Sequence, residues 1–422
     1  MTATTPTLRP ARFGLLRERD FRLLWIGESA SSLGSAVTGV ALPLVAVTVL
    51  DASPFAVSVL SAAAWLPWLL IGLPAGAWVD RLSRRRVMLA ADWVSMAAFL
   101  SVPVAALLDR LTTAHLVAVA LVAGAAKVFF ATAYRAYLPS LVDGPDLLEA
   151  NAKLQGSEQV ANLAGPGVAG LLAQAVSAIG GLVVDAVTFA VSALCLTRIR
   201  HREVIEPRPR RRLRTEIRYG MRTVLGDPLL RGNMFYGCVS NLGLTGYQSL
   251  LVVFLVGDLG LPAGATGLLL AATSAGGVLG AFAARPLAGR VGTARAVLLG
   301  KVALAPVGLL IAFADRGAGL VLFVGASIVI IAGIVAGNVV FSGFMQTYVP
   351  ADLMGRVTTS VQVVNFGAIP LGALLAGALA TAFGVRPALF AMLAVFALSG
   401  LILLLATPLG RLRDLPAGRM GE

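Results

Sequence analysis

Residues 76–93 read GAWVDRLSRRRVMLAADW. Asp80, Arg81, Arg84, Arg85 and Arg86 crowd together here, between two long apolar runs, in a chain that is 58% hydrophobic. Only 13% of its 422 residues are charged, against about 25% in an ordinary soluble domain. A water-soluble fold could not hide so much apolar surface, so a lipid bilayer is the solvent for most of this chain. The 46 glycines fit that solvent, because small residues let membrane helices approach one another closely. The charged cluster is then a connection between two membrane segments.

A helix that crosses about 30 Å of hydrocarbon needs roughly 20 mostly apolar residues. Twelve such runs can be drawn, at about 21–49, 55–79, 86–108, 114–136, 151–177, 180–198, 232–256, 264–284, 296–314, 318–345, 357–382 and 387–407. The pattern predicts an all-α membrane protein of twelve transmembrane helices. Residues 1–198 would form a tail and six helices, 199–231 a linker, and 232–422 six more helices and a second tail.

The lysines and arginines orient these runs. Only Arg110, Arg316 and Arg386 stand in the alternate loops, and only Lys127 and Lys301 lie deep inside runs. The rest of the 34 gather in the tails, at run ends and in the other loops. Cytoplasmic loops collect Lys and Arg, so both termini are expected to be cytoplasmic. The net charge of +13 then reports topology. No basic face belongs to a soluble fold, and nucleic acid is not an expected partner.

The two halves resemble each other. SSLG at 31–34 matches SNLG at 240–243, and Arg81 and Arg86 match Arg290 and Arg295, all 209 residues apart. YLPS at 137–140 matches YVPA at 348–351, 211 apart. Three signals at nearly one offset predict two pseudo-symmetric six-helix bundles. In the linker, Leu213, Ile217, Met221 and Val224 follow helical spacing beside Arg214, Arg218 and Arg222. That suits an amphipathic helix on an anionic leaflet; a solvated basic linker is the alternative.

Gly76-Ala-Trp-Val-Asp80-Arg81-Leu-Ser83-Arg84-Arg85 resembles the loop between helices 2 and 3 of the major facilitator superfamily, G-x-x-x-D-R-x-G-R-R/K, with Ser83 in place of the usual glycine. A carboxylate at a helix end can pair with a neighbouring arginine and with the positive end of another helix. The resemblance implies that Asp80 and Arg81, with Arg84 and Arg85, form an inner gate that holds the outward-facing state. Arginines that only fix topology are the alternative. Gly165-Pro166-Gly167-Val168-Ala169-Gly170 looks like the antiporter signature G-P-x-x-G-G, with Ala169 for one glycine. A generic glycine-rich packing face would read similarly. FRLLWIGESASSLG, DRLSRRRVMLAAD, AYLPSLV with EAN, and VVDAVTFAVSAL look like the macrolide-efflux and enterobactin-exporter branch. Many members of that branch have Gln where Glu28 stands, and some have Asp where Ser35 stands.

An ionised residue at mid-bilayer costs roughly 2.5–3.5 kcal/mol on insertion scales and usually faces a bundle interior or a watery cavity. Glu28, Asp92, Glu158, Asp185, Lys127 and Lys301 qualify. Glu28 is a candidate proton carrier or cation contact, or an interfacial carboxylate paired with Arg22. Asp92 reads as a partner of the Arg84–Arg86 cluster more than as a carrier. Glu158 with Gln155, Gln159 and Asn162 gives one polar stripe for lining a cavity. Lys127 could pair with Glu158 or Glu28, Asp185 reads as a packing residue, and Lys301 as a snorkelling one. Asn338, Gln346, Gln362 and Asn365 could line the cavity or bond between helices. Trp25, Trp65, Trp68, Trp78 and Trp93 read as interface anchors, with Trp65 or Trp68 able to stack on a ligand.

Other chemistry finds no support. Gly300-Lys301 is followed by Val302, so no phosphate-binding G-x-x-x-x-G-K-[ST] loop is present. The two histidines, His115 and His201, sit near run edges, so no metal site is expected. Cys195 and Cys238 form no disulfide framework. MTATTPTLRPARFGLLRERDF lacks the apolar core of a cleavable leader. The resemblance implies a secondary transporter working by alternating access. It would be a proton-coupled exporter of amphipathic small molecules, of drug, antibiotic or siderophore type, without cofactor or metal. A monomer in the bacterial cytoplasmic membrane is expected, with substrate, protons and lipids as partners. The alternatives are an importer of a small nutrient and a non-transporting sensor or scaffold. Single cysteines placed at Arg81 and Arg110 should label from opposite faces of the membrane; labelling from the same face would break the topology.

Overall fold

The computed structural model describes residues 14–79, 81–142, 144–201, 203, 213–416 and 420. The described residues form helices and connections, with no strand among them. The reason is the solvent: hydrocarbon offers no partner to a backbone amide, and a helix satisfies its own.

The helices are α1 (Arg19–Thr48), α2 (Pro54–Val79), α3 (Arg84–Leu107), α4 (Thr113–Leu141), α5 (Leu147–Ala175) and α6 (Ala178–Arg198). They are followed by α7 (Leu213–Gly226), α8 (Pro228–Val252), α9 (Ala263–Val291), α10 (Thr293–Leu298), α11 (Ala318–Tyr348), α12 (Ala351–Phe383) and α13 (Val385–Ala406). Helix α8 runs on as a π-helical turn, Val253–Asp258. After α10 the chain continues as π-helix Leu299–Ala303 and 3-10 helix Ala305–Phe313. Pro306, which has no amide hydrogen to donate, stands where the ladder changes type.

Eleven of these segments are long and apolar enough to cross a membrane. Helix α5, the fifth of the twelve runs in the sequence, has 29 residues but is not among the eleven. Glu149, Lys153 and Glu158, with Gln155, Gln159 and Asn162, make it too polar. The ends are stopped by local chemistry. The Asp227 carboxylate accepts from the amides of Leu229 and Leu230 at 2.9 Å, and Pro228 follows it at the start of α8. Gly292 turns the chain between α9 and α10 at φ +97°, where a side chain would be strained and its Cβ would strike the Arg413 carbonyl.

Successive helices reverse direction, so the connections fall alternately at two ends. One end holds the 80–83 loop, the stretch between α6 and α8 and most arginines; the other holds the short turns after α1, α3 and α5. At the arginine-poor end, Val37, Leu44, Leu60, Phe99, Leu116 and Leu182 form one apolar core. Phe254, Phe323, Met392 and Phe396 form another. Helix α1 packs on α5 and α6, α4 on α2 and α3, and α3 on α6; α8 packs on α12 and α13, and α9 on α11. Two pairs bridge these groups, α2 with α12 and α5 with α9. Helix α7 packs against α12 and α8. A Cβ on its Gly220 would stand 2.6 Å from the Arg356 carbonyl. Its expected stripe at Leu213, Arg214 and Ile217 lies outside the described side chains.

Both bridges are tightest at the arginine-poor end. A Cβ on Gly170 of α5 would lie 2.7 Å from the Ala263 carbonyl and from Gly267 Cα of α9. A Cβ on Gly377 of α12 would lie 2.6 Å from Ser58 Cβ of α2. The Ser58 and Ser249 hydroxyls are 3.4 Å apart. Lipid tails are as apolar as leucine, so close packing of small residues has to hold such crossings. Replacing Gly170 by Leu should weaken this closed end by about 1–3 kcal/mol, the usual magnitude of overpacking. A Ser58→Cys reporter should then react several-fold faster with a membrane-impermeant thiol reagent. An unchanged rate would show that the crossing does not hold the end shut.

Candidate functional site

At the arginine-rich end the bridging helices diverge, and a cavity of about 730 Å³ opens between α2, α4 and α12, with Arg84 of α3 in its wall. Trp68, Leu69 and Gly72 of α2 form one side. Phe366 of α12 stands across from them, its ring centroid 5.5 Å from Trp68 and 5.9 Å from Trp65. Gln362 and Thr359 follow on α12, and Thr132, Arg135 and Ser140 on α4. Of the polar residues expected at a cavity, Gln362 is therefore in its wall. Asn365 instead packs its amide against Gly237 of α8. Asn338 and Gln346 are exposed on α11, and Gln155, Glu158, Gln159 and Asn162 are exposed on α5 as one stripe.

The residues expected at the gate are only partly described. Asp80 lies outside the described residues. Arg81 and Arg86 are exposed. Arg84 donates from Nη1 to the Ala136 carbonyl at 3.1 Å and sets Nε 3.4 Å from Glu203. Arg85 donates to the carbonyls of Leu196 and Thr197 at 2.7 and 2.6 Å, so a cation sits at the negative end of α6. Glu203 also accepts from the Ser83 hydroxyl at 3.3 Å and the Arg85 amide at 3.5 Å, which places its carboxylate at the start of α3. Sequence reading missed Glu203. It is one acid in a basic connection and has no motif around it; only the fold brings it 120 residues back onto Ser83.

The intramembrane charges are gathered but not paired as expected. Counting 1.5 Å per residue from the arginine-rich helix ends, Glu28 lies about 14 Å deep, Glu158 about 17 Å and Lys127 about 21 Å. Glu28 feels the charges of both Glu158 and Lys127. Its Oε2 is sealed from solvent with no hydrogen-bond partner among the described residues. No ion pair within 4.0 Å joins Glu28, Glu158 or Lys127 among those residues, and Arg22 donates to the Leu16 carbonyl rather than to Glu28. Asp92 departs further from expectation. It is 1% exposed and points at the α6 side, towards Ser192, with no hydrogen bond of ordinary geometry. Arg84 and Arg85 are turned to Glu203 and to α6 carbonyls, so Asp92 is not their partner. Asp185 takes up the packing role: Thr38 donates to it across the α1–α6 seam at 2.5 Å, and Thr188 at 3.2 Å.

Lys301 does not snorkel. It is 2% exposed, donates to Asn233 Oδ1 at 3.1 Å, and stands 4.8 Å from the Tyr236 ring and 5.2 Å from the Phe341 ring. Its methylenes lie along Gly337, where a Cβ would crowd them at 2.9 Å. The aromatic faces attract the ammonium and make burial tolerable. The antiporter-like segment sits in the arginine-poor half of α5. Gly165 packs on Ala36 of α1, and the Pro166 carbonyl and Gly170 pack on Gly267 of α9. Among the described residues no group of three or more His, Cys, Asp or Glu could hold a metal ion.

A family model described as a transmembrane secretion effector matches residues 11–416. The multidrug efflux pump Tap of Mycolicibacterium fortuitum is 29% identical over 403 residues, 93% of this chain and 96% of the pump. Macrolide efflux protein A of Streptococcus pyogenes is 26% identical over 152 residues, 36% of this chain and 37% of that protein. A bacterial homologue of the iron transporter ferroportin, solved facing inward, superposes with a TM-score of 0.73 at 16% identity over 93% of this chain and 98% of that one. The same homologue facing outward gives 0.61 at 17% identity, over 91% and 98%.

Asn233→Leu should strand the buried Lys301 ammonium and cost about 2–3 kcal/mol, as losing a partner does for a buried charged donor. Lys301→Met, which removes the charge and keeps the bulk, should cost less. Thermal melts of the purified variants in detergent check this order, and the reverse order would show that the charge itself stabilises the fold.

Proposed function

We propose that this chain, which belongs to the transmembrane secretion effector family of the major facilitator superfamily, exports amphipathic small molecules by alternating access. Two six-helix bundles, α1–α6 and α8 onward, rock about the bridges α2–α12 and α5–α9, and all twelve long segments cross the membrane. Helix α5 crosses with its polar stripe turned away from lipid, which is how a helix too polar to stand alone in hydrocarbon is kept there. The arginine-rich end faces the cytoplasm.

One observation carries this reading. Backbones meet at Gly170 and Gly267 at one end, while a cavity of about 730 Å³ stands open between α2, α4 and α12 at the other. That is a pathway accessible from one side only, as a transporter needs. The better superposition on the inward-facing than on the outward-facing form of one neighbour agrees with it. The names of the relatives, a multidrug efflux pump and a macrolide efflux protein, favour export of drug-like compounds. Asp80, Arg81, Arg84 and Arg85 close the inner side in the opposite state, when Arg84 leaves Glu203.

Glu28 and Glu158 are the candidate proton carriers. Each lies well inside the span, and neither has a counter-ion in contact among the described residues. A proton arriving from outside neutralises one of them, and the change shifts the balance of states only if the two conformations hold that carboxylate differently. Lys127, within electrostatic reach of Glu28, stands in the same bundle as both acids, so the difference between states comes from the approach and withdrawal of the second bundle rather than from Lys127.

Across a panel of labelled amphipathic drugs that spans cations, neutral compounds and anions, cells producing the protein should hold less of at least one than control cells, and an uncoupler should erase the difference. A rise in accumulation that needs the gradient would instead make the protein an importer. Glu28→Gln and Glu158→Gln, one at a time, should abolish the pH dependence of efflux in at least one case. Full pH dependence in both variants would remove these two residues from the coupling.

A further inference from the structure

We propose that the cavity at the arginine-rich end is a subsite for an anionic group carried on a flat apolar body. Arg135 and Arg84 hold the anion, while Trp68 and Phe366 hold the body. The proposal rests on the transporter reading of the same cavity and names its substrate class.

The charge comes first. Arg84 is drawn against α4 by the Ala136 carbonyl, next in sequence to Arg135. An arginine that served only to mark the cytoplasmic side would extend into water, yet the Arg84 side chain is 19% exposed. Its Nε and Nη1 are engaged by Glu203 and Ala136, which fixes the plane of the guanidinium. Arg has five N–H donors, so this leaves donors on its remaining edge. Arg135 lines the same cavity with its side chain exposed and with no hydrogen bond or ion pair among the described residues. Two guanidiniums with one described carboxylate between them leave a positive charge over at the cavity wall. Planar forks of this kind bind carboxylate, sulfonate or phosphate oxygens in pairs. Thr132, Ser140 and Gln362 add neutral hydrogen-bonding groups to the wall.

The shape comes second. Arg135 is about 9 Å from the arginine-rich end of α4, counting 1.5 Å per residue, and Trp68 is about 16 Å from the same end of α2. Phe366 is about 22 Å along α12. The anion site therefore lies nearer the mouth and the aromatic wall deeper. A ligand would enter with its apolar body foremost and leave its charged head between the arginines. Trp68 and Phe366 meet edge to face, so a flat ring can be taken up along either face. Glu28, Glu158 and Lys127 are not in the described wall of this cavity, so substrate charge and proton charge are held apart.

The test uses full-length protein in phosphatidylcholine nanodiscs, with three probes that share a ring and differ in charge: 1-naphthalenesulfonate, 1-naphthalenemethanol and 1-naphthylmethylammonium. Binding by equilibrium dialysis should be at least tenfold tighter for the sulfonate than for the ammonium. Arg135→Gln should remove that preference and leave the alcohol unchanged, while Trp68→Ala should weaken all three. Equal or tighter binding of the ammonium would overturn the proposal, and so would a sulfonate preference that survives Arg135→Gln. If phosphatidylglycerol in the disc displaces the sulfonate at stoichiometric levels, the site holds a lipid headgroup and the substrate assignment falls. Binding needs no gradient, so these outcomes are independent of whether cells show efflux.

Discussion

No side chain separates the two backbones where α5 crosses α9. Gly170 lies on Gly267, and a single added methyl on either would overlap the other helix. Everything else about the open and closed ends depends on this contact. Hydrocarbon supplies no squeezing force between helices, so only surfaces that fit within van der Waals distance stay together. The glycines provide that fit at one end, and the matching crossing of α2 with α12 at Ser58 and Gly377 completes it. Rigid helices pinned at one end diverge at the other, and the divergence is the cavity.

The buried charges fall into a related order. Asp92 and Lys301 are 209 residues apart, the offset that relates Arg81 to Arg290 and Arg86 to Arg295. Positions related by that offset thus hold opposite charges, both nearly sealed from solvent. Lys301 is held by an amide and two aromatic rings, whereas Asp92 has only the neighbourhood of Ser192. Neither lies in the described wall of the cavity. Asp92 stands on α3, whose first residue Arg84 is in that wall, and lies within electrostatic reach of Glu28, whereas Lys301 belongs to the other group of helices. The repeated sequence signals therefore do not extend to the charges at these two positions.

Glu203 illustrates how the connection after α6 takes part in the site. Its carboxylate caps α3, engages Arg84 and touches the loop whose motif marks the family. A segment that reads as a basic linker therefore supplies the acid that occupies Arg84, one of the arginines proposed for the inner gate. In the proposed closing of the inner side, movement of that arginine to another partner would break this linker contact.

Hydropathy was enough to assign the solvent, the helical class and most of the segment boundaries, because apolar length is a local property that needs no neighbour. The 80–85 motif and the glycines of α5 were legible for the same reason: they depend on residue type at fixed spacing. The partners of particular side chains were not legible, Glu203 among them. Asp92 was read with the arginines one turn or so away, but helix rotation turns it to α6. Lys301 was expected at an interface, but Tyr236 and Phe341 come from other helices to enclose it. Phe366 and Arg135 became part of one cavity only because α12 stands away from the packed pair α2 and α4 at one end. Which residues lie along a helix is written in one dimension. Which of them meet depends on the rotation and separation of helices, and those follow from packing between segments hundreds of residues apart.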